Sequence, residues 1–436
     1  MLRILTALWF ALLAGTAQAE IDIQEITSSG GINAWVVEEP SIPFVALEIR
    51  FRGGASLDAP GKRGAVNLMA ALLEEGAGDM DAQAFQTARE ALAARYSFRA
   101  SDDTISISAQ FLTENQDEAL ALLEQALVNP RFDQSALDRV RAQVLAGIAS
   151  DALNPRSIAS TALNAAAFGD HPYGTPLDGT AESVTTLTQD DMIDAHRNTL
   201  TRDRLYVSVV GDVTLEEVGP MLDALLGDLP AEGPPLPEDI NFDLPGGVTV
   251  IDFDNPQSFA LFGHEGMKRD DDDFFAAFIV NHVLGAGGFQ SRLMTEVREK
   301  RGLTYGIGSY LATMFHAEMV LGSVASSNAT VAEAINVTRD EWARMAEEGL
   351  TEAELDAAKT FLTGEYPLRF DGNAAIATIM VGMQMIDLPP DYVINRNDYI
   401  NAVTLDEVNR VASELLRPDD LHFVVVGRPE GLESTR

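Results

Sequence analysis

The histidines are the first candidates for metal chemistry in this 436-residue chain. There are six of them, and they are His171, His196, His264, His282, His316 and His422. Two histidines bind one metal from a helix when they lie on one face, four residues apart. No pair has that spacing, so neither H-x-x-E-H nor H-E-x-x-H occurs. A zinc site made by this chain alone is therefore not expected, and each histidine is predicted to be structural.

The glycine-rich segment LGAGGFQSRL, residues 284–293, could be interpreted as a phosphate cradle. A phosphate loop follows a strand, however, and this segment follows the helical pattern FFAAFIVNHV. No P-loop lysine follows it either. The sequence predicts a helix that ends at Gly285, a flexible loop with Gly287 and Gly288, and a new helix from Ser291. Because such loops often contact ligands, the three glycines are candidate substrate-loop residues.

An arginine and a tyrosine lie seven residues apart in SRLMTEVREKRGLTYGIGSY, residues 291–310. A helix is predicted to reach Arg301, with Gly302 ending it and an extended segment following. The turn between helix and strand allows Arg298 and Tyr305 to face one site. The pattern alone favours a simpler interpretation, which is a solvated, charged helix end beside a core tyrosine.

Three motifs together resemble the pitrilysin/insulinase family of zinc peptidases, which includes mitochondrial processing peptidase and bacterial two-subunit peptidases. HPYGTPLDGTAESVTTLTQDDM, from His171, is similar to the first-domain segment H-P-Y-G-x-P-x-x-G-T. The segment of residues 291–310 resembles the second-domain motif, and LGAGGFQSRL is similar to the family's glycine-rich loop. The motifs occur in the family's order, and the resemblance extends over nearly all of the chain that follows residue 19.

The resemblance places the family's zinc site on residues that cannot form one. Active members bind zinc through an H-x-x-E-H helix, whose glutamate is the general base, and through a further downstream glutamate. The corresponding positions are Asn67, Ala70 and Ala71 in GAVNLMAALLEEG, and Ala146 and Gly147 in QVLAGI. Alanine and glycine have no atom that binds zinc or moves a proton. The resemblance therefore implies no metal and no independent hydrolysis by this chain.

The second-domain pair is retained. The family's arginine binds a backbone carbonyl of the peptide, and its tyrosine stabilises the oxyanion that develops at the zinc. The resemblance assigns these roles to Arg298 and Tyr305, and the spacing to the tyrosine favours Arg298 over Arg301. A fixed guanidinium fork and a neutral phenol suit these roles.

The elements that position these residues occur twice in the chain. Residues 188–211 align without a gap with residues 404–427, at a shift of 216, and residues 132–145 align with residues 350–363 at a shift of 218. Two matches in the same order indicate a duplicated domain. The predicted organisation is an N-terminal domain at 20–230, a Pro- and Gly-rich linker at 231–247 and a C-terminal domain at 248–436.

Each half is predicted to be α+β, with helices covering a mostly antiparallel sheet. Hydrophobic periodicity predicts half-buried strands at 42–51 and 104–111. Helices are predicted at 65–75, 82–94, 114–127 and 135–149. The resemblance implies two such homologous domains that enclose a chamber.

The first nineteen residues are predicted to be a secretory signal peptide. A basic start at Arg3 precedes an apolar run at 4–13, and small residues occupy positions 17 and 19. The chain has no cysteine, which excludes disulfides, thiolate ligands and a lipobox. We expect export to the periplasm, and no membrane span in the mature chain.

The net charge of −37, from 67 acidic and 30 basic residues, disfavours nucleic-acid binding because few cations are available to neutralise phosphates. The acidic surface is compatible with basic peptides, although solubility alone is a sufficient explanation.

Together these features predict the zinc-less subunit of a periplasmic, heterodimeric peptidase that is inactive alone. A homologous partner would supply zinc and base, and this chain would supply Arg298 and Tyr305. An unfolded peptide would add as a strand to a sheet edge, for which residues 96–101 are a candidate. The alternative is a non-catalytic peptide-binding or scaffold protein. A homodimer with an active site of its own has no supporting motif.

Overall fold

A computed structural model describes residues 21–435 of the chain. The predicted signal peptide at residues 1–19 lies outside this range. Among the residues described, no helix combines the length and the apolar character that a membrane crossing requires.

Two sheets organise the described chain, and a short hairpin accompanies the first. The strands of the first half are β1 (Gln24–Thr27), β2 (Asn33–Glu38), β3 (Phe44–Arg52), β4 (Gly76–Ala77), β5 (Met80–Asp81), β6 (Arg95–Ala100), β7 (Thr104–Leu112) and β8 (Leu205–Gly211). The strands of the second half are β9 (Gly247–Asp252), β10 (Gln257–Glu265), β11 (Thr304–Thr313), β12 (Glu318–Ser327) and β13 (His422–Gly427).

Helices connect these strands in both halves. Those of the first half are α1 (Ala65–Leu72), α2 (Ala82–Ala91), α3 (Gln116–Val128), α4 (Gln134–Asp151), α5 (Pro155–Phe168), α6 (Ala181–Thr186), α7 (Gln189–Thr199) and α8 (Leu215–Leu226). Those of the second half are α9 (Phe274–Asn281), α10 (Val331–Glu348), α11 (Glu352–Glu365), α12 (Asn373–Met385), α13 (Tyr392–Ala402) and α14 (Leu405–Leu415). The predicted helices of the first half are confirmed, with ends that differ by a few residues.

The two sheets confirm the predicted fold class of two homologous α+β domains. The first has the strand order β1-β2-β8-β3-β7-β6, and the second β11-β12-β10-β13-β9. Neighbouring strands are antiparallel except for one pair in each sheet, β2 with β8 and β9 with β13. The last strands of the two halves, β8 and β13, hold these equivalent positions and end the two segments that align in the sequence. The helices α7 and α14 precede them, each with a threonine capping box at its first turn.

Each sheet packs one face on the helices of its own half. The first core joins β3, β7 and β8 to α1, α3 and α4, and Phe51, Leu68 and Leu123 are fully buried in it. The second core joins β10, β12 and β13 to α9, α10 and α14 around the buried Trp342.

The opposite face of each sheet carries a helix from the other half of the chain. Helix α5 packs on the second sheet, where Leu163 and Phe168 share a cluster with Phe259 and Val424. Helix α12 packs on the first sheet, where Met380 shares a cluster with residues of β2, β3 and β8. The two halves therefore exchange equivalent helices, and each sheet is covered on both faces.

This exchange corrects the prediction for strand β3. The sequence suggested a half-buried strand that alternates between core and solvent, but most of β3 is buried on both faces. Val45 and Leu47 point into the first core, whereas Ala46 lies beneath α12. Strand β7 alternates between buried and partly exposed residues as predicted.

The predicted linker has no helix or strand between Leu226 and Gly247. It is nevertheless attached to the second domain. Phe242 is buried in the cluster that contains α5, and the amide of Ile240 donates to the carbonyl of His316 at 2.7 Å.

Candidate functional site

Arg298 lies in a π-helical turn, Met294–Glu299, at the position where a regular helix was predicted. π-Helical turns are rare and occur frequently at functional sites. The amide of Gly302 donates to the Arg298 carbonyl at 2.9 Å, and Gly302 has a φ of 65°, which ends the helix as predicted. The Arg298 guanidinium lies 4.5 Å from the centre of the Phe289 ring. Among residues 21–435 it forms no ion pair.

The neighbouring cations, in contrast, are committed to one buried carboxylate. Arg301 Nη1 contacts Glu296 Oε2 and the Glu296 carbonyl, each at 2.7 Å, and Lys300 Nζ lies 2.6 Å from Oε1. These hydrogen bonds from Lys300 and Arg301 lower the pKa of the Glu296 carboxyl below its usual value. Arg301 therefore has a structural role, and Arg298 is the cation of this segment that remains free to bind another group.

Tyr305 lies in a β-bulge at the start of the edge strand β11. The pairing of β11 with β12 is regular from Ile307 onward but shifts between Thr304 and Ile307. The Thr304 hydroxyl donates to the carbonyl of Ala325 at 2.6 Å and accepts from the amide of Gly306 at 3.1 Å, and this stabilises the bulge. The Tyr305 side chain is 87% exposed. The expectation of a core tyrosine, which the pattern alone favoured, is therefore wrong.

The π-helical turn and the bulge are joined by hydrogen bonds. The amide of Leu303 donates to the Val297 carbonyl at 3.0 Å, and the amide of Ile307 donates to the Met294 sulfur at 3.5 Å. These hydrogen bonds fix the turn that carries Arg298 to the bulge that carries Tyr305, and bulges often redirect side chains next to active sites.

The glycine-rich segment differs from the predicted flexible loop. Helix α9 continues as a second π-helical turn, His282–Ala286, and Gly285 is buried inside that turn. A Cβ at Gly285 would lie 2.2 Å from the Ser309 hydroxyl of β11, so glycine is required for this close approach. Gly287 and Gly288 remain in the connection that follows, and Gly288 has a φ of 59°. Their contact with a substrate stays a prediction.

The positions of the family's zinc site lie on two helices that pack together, α1 and α4. Asn67 donates from its amide to Asp178 Oδ1 at 2.7 Å, while Ala70 is 1% exposed within the first core. Ala71 packs at the edge of that core, and Ala146 and Gly147 are exposed on α4. Within residues 21–435, no three histidine, aspartate, glutamate or cysteine side chains form a group suited to a metal. The residues at these positions do not fit zinc.

The H-P-Y-G segment contributes a contact between the domains that the sequence did not reveal. The hydroxyl of buried Tyr173 donates to Asp103 Oδ1 at 2.5 Å and accepts from the amide of His316 at 3.2 Å. The amide of Phe315 donates to the other oxygen of Asp103 at 3.3 Å. Burial and the adjacent Asp103 carboxylate raise the pKa of Tyr173, so the phenol stays neutral and keeps its proton for this contact. One indication of this contact was present in the sequence, which is that Tyr173 belongs to the H-P-Y-G segment that resembles a family motif.

Comparisons with known proteins match both halves of the chain to one family. Residues 35–181 match the family model "Insulinase (Peptidase family M16)", and residues 186–362 match "Peptidase M16 inactive domain". A curated protein of Helicobacter pylori, "Non-peptidase homolog YmxG", is 27% identical over 431 residues, covering 98% of each chain. "Uncharacterized zinc protease SCO5738" of Streptomyces coelicolor is 26% identical over 404 residues, covering 90% of this chain and 87% of the relative.

Solved structures agree with these matches. The crystal structure of a peptidase M16 inactive domain from Pseudomonas fluorescens has a TM-score of 0.88 and 28% identity, covering 95% of this chain and 100% of that one. A protease from Helicobacter pylori has a TM-score of 0.84 at 16% identity, with 93% and 100% coverage, and shows the fold alone.

Proposed function

Because the chain belongs to the insulinase family of peptidases, peptidase family M16, and its residues 186–362 match the family's inactive domain, we propose that it works as the zinc-less subunit of a two-subunit peptidase. A homologous partner with an intact H-x-x-E-H helix supplies zinc and the general base. This chain supplies Arg298, Tyr305 and part of the chamber wall. The substrate is an unfolded peptide.

One observation carries the proposal. The zinc positions have no ligand atoms except the Asn67 amide, which is already bound to Asp178, whereas Arg298 is unpaired and Tyr305 is exposed. Arg301, in the same segment, pairs with Glu296, whereas Arg298 has no carboxylate partner among the described residues and so no ion pair that would give it a structural role. An exposed tyrosine with no hydrogen bond among the described residues likewise has no evident role in stability. Both groups are the kinds that bind a peptide carbonyl and an oxyanion.

The sheet edges support strand addition as the mode of peptide binding. Strand β6 (Arg95–Ala100) is one of the two edge strands of the first sheet, and β11 is one of the two edge strands of the second. Both present unpaired backbone groups on one side, which an extended peptide could use. The predicted edge at residues 96–101 thus corresponds to β6, although Tyr96 itself points inward and donates to the Ala119 carbonyl at 2.6 Å.

The test is reconstitution of peptide cleavage. The chain without residues 1–19 is purified alone and with a homologous subunit that carries H-x-x-E-H, ideally one encoded beside it. Cleavage of quenched fluorescent peptides is then measured. We expect cleavage only in the complex, and its loss when a chelator is added. Chelator-insensitive cleavage by this chain alone would contradict the proposal.

Two variants test the assigned residues within that complex. Tyr305→Phe removes an oxyanion donor, and loss of one such donor costs about 10²–10³ in turnover. Arg298→Ala removes a charge-assisted hydrogen bond and is expected to lower kcat/KM about 10- to 150-fold. The matched controls are Tyr399→Phe and Arg428→Ala, at exposed sites. If the pair and the controls behave alike, the assignment is wrong.

A non-catalytic peptide-binding or scaffold function is the second candidate. The absence of zinc ligands favours it, as does the curated name of the Helicobacter pylori relative, "Non-peptidase homolog YmxG". It predicts that peptides bind to the chain but are not cleaved with any zinc-bearing homologue, so the same reconstitution separates the two functions.

We also propose export to the periplasm through residues 1–19. Fractionation of cells that express the full chain tests this, with the precursor and the processed form separated by mass.

A further inference from the structure

A pocket of about 420 Å³ is lined by neither Arg298 nor Tyr305. It is formed by helices α9, α12 and α13 and by the turn Tyr366–Arg369 that follows α11. All of the residues that line the pocket belong to the second half of the chain, and one of the helices that form it, α12, also packs on the first sheet. Its volume is in the range of small-molecule sites.

Three arginines line this pocket, although the chain has a net charge of −37. They are Arg269, Arg369 and Arg396, and within residues 21–435 none of them forms an ion pair. Glu365 acts on Arg396 through its charge but forms no ion pair with it. Guanidinium groups that converge without a carboxylate partner create a local positive site, which favours an anion.

The pocket walls are aromatic and hold the arginines in place. The Arg269 guanidinium lies 4.1 Å from the centre of the Phe274 ring and donates to the Tyr392 hydroxyl at 3.0 Å. Arg396 is 4% exposed, lies 4.6 Å from the centre of the Tyr366 ring and donates to a backbone carbonyl. Such stacking fixes the guanidinium planes before a ligand arrives, which reduces the entropy lost on binding.

Tyr366 supplies an independent indication of a ligand. It lines the pocket and is 6% exposed, and its buried hydroxyl has no hydrogen-bond partner among the described residues. A buried polar group without a partner is costly and uncommon in folded proteins, and a bound ligand can supply the partner that the protein does not. Burial raises the pKa of this phenol to about 12, so it is available as a neutral donor.

We propose that this pocket binds a small monocarboxylate with an aromatic or apolar body. The carboxylate contacts the arginines and accepts from the Tyr366 hydroxyl, while the body packs on the apolar residues of α9 and α12. Two sources share this chemistry, a free carboxylic acid and the C-terminal carboxyl of a peptide that ends in an apolar residue. The proposal does not depend on the peptidase partner, since this chain alone forms the pocket.

The experiment uses calorimetric titration of the chain lacking residues 1–19 with 4-phenylbutyrate and with its neutral amide. The two probes have nearly the same shape and differ in charge. We expect the carboxylate to bind and the amide to bind at least about tenfold more weakly, because charge-assisted hydrogen bonds are lost. Equal affinities, or no binding of the carboxylate at millimolar concentration, would overturn the proposal.

Two variants test the named contacts. Tyr366→Phe removes a hydroxyl without an internal partner, so the fold should be retained while affinity falls about tenfold. Arg269→Gln should have a similar or larger effect, and Arg428→Gln, at an exposed surface ion pair, should have none. Unchanged affinity in both Tyr366→Phe and Arg269→Gln would refute the site.

The source is distinguished with acetylated dipeptides ending in phenylalanine, as free acid and as amide. Tighter binding of the dipeptide acid than of 4-phenylbutyrate indicates a peptide terminus, and weaker binding indicates a free acid. Either result requires the charge preference that the proposal states. Peptide cleavage by the reconstituted complex is a separate measurement, so failure of one proposal leaves the other intact.

Discussion

The contact between Tyr173 and Asp103 gives the most direct test of how the domains are held together. Tyr173→Phe removes only the hydroxyl, which donates to Asp103 Oδ1 at 2.5 Å and accepts from the amide of His316 at 3.2 Å. Tyr173 and Asp103 belong to the first half of the chain, and His316 to the second. The ring itself stays packed against Phe168.

The magnitude follows from the two hydrogen bonds. A bond to a charged acceptor contributes about 1.5–3 kcal/mol, and a buried N–H left unpaired costs about 1–3 kcal/mol. The two effects share one hydroxyl and do not add fully, so we expect the free energy required to open this contact to fall by about 2–4 kcal/mol. Because the pKa of Tyr173 is raised by burial and by Asp103, the phenol stays protonated near neutral pH. Titration of the phenol should therefore not change the effect of Tyr173→Phe in this range.

Amide hydrogen exchange is the appropriate measurement, because a chain with two domains need not unfold in one step. The amides of Phe315 and His316 report directly on opening of this contact. A loss of about 2–4 kcal/mol corresponds to about 30- to 900-fold faster exchange at these amides. Amides at the centre of each core should change far less.

The control is Tyr399→Phe, at a tyrosine that is 44% exposed and forms no side-chain hydrogen bond among the described residues. Substitutions at such sites usually change stability by less than about 0.5 kcal/mol. If Tyr173→Phe left exchange at Phe315 and His316 as slow as in the control, the hydroxyl would have no role in holding the domains together.

Three further predictions concern stability. Burial lowers the pKa of His264 to about 4, so His264 is neutral in the folded protein. Its contribution to the free energy of unfolding is complete above pH 6.5 and is lost as the pH falls toward 4, by up to about 3 kcal/mol. Denaturant titrations at several pH values measure this loss, and His264→Gln should make the free energy of unfolding depend less on pH in this range. Burial alone would raise the pKa of Glu354, but hydrogen bonds from Arg292 and from the helix cap at Thr351 outweigh it and hold the pKa at about 2. The stability that the ionised carboxylate contributes is lost as the pH falls from 4.5 to 2. A Glu354→Gln variant whose free energy of unfolding fell with pH as in the unsubstituted chain would contradict this. Gly285→Ala places a methyl 2.2 Å from a side-chain oxygen of β11 and should lower the unfolding free energy by about 1–3 kcal/mol, whereas Gly364→Ala, with open space around its Cβ position, should not.

The local sequence determined much of this protein. Threonine caps and apolar periodicity identified α7 and α14 and the strands β8 and β13 after them, and their repetition indicated the duplicated fold. The sequence also indicated that the positions of the family's zinc site cannot bind zinc, because the side chain of an alanine or glycine lacks ligand atoms in any conformation. Hydrophobic pattern and residue chemistry are local properties, so they can be interpreted without knowing which residues lie nearby in the fold.

Only the tertiary structure decided which elements meet. The exchange of α5 and α12 between the sheets, and with it the burial of both faces of β3, depends on contacts between residues far apart in sequence. The ion pair between Arg301 and Glu296 also depends on a feature that hydrophobic periodicity does not predict, the π-helical turn at Met294–Glu299. Tyr173, Asp103 and His316 also meet only because the domains pack together. A side chain's role depends on its partners, and partners from distant segments are fixed by packing rather than by local pattern.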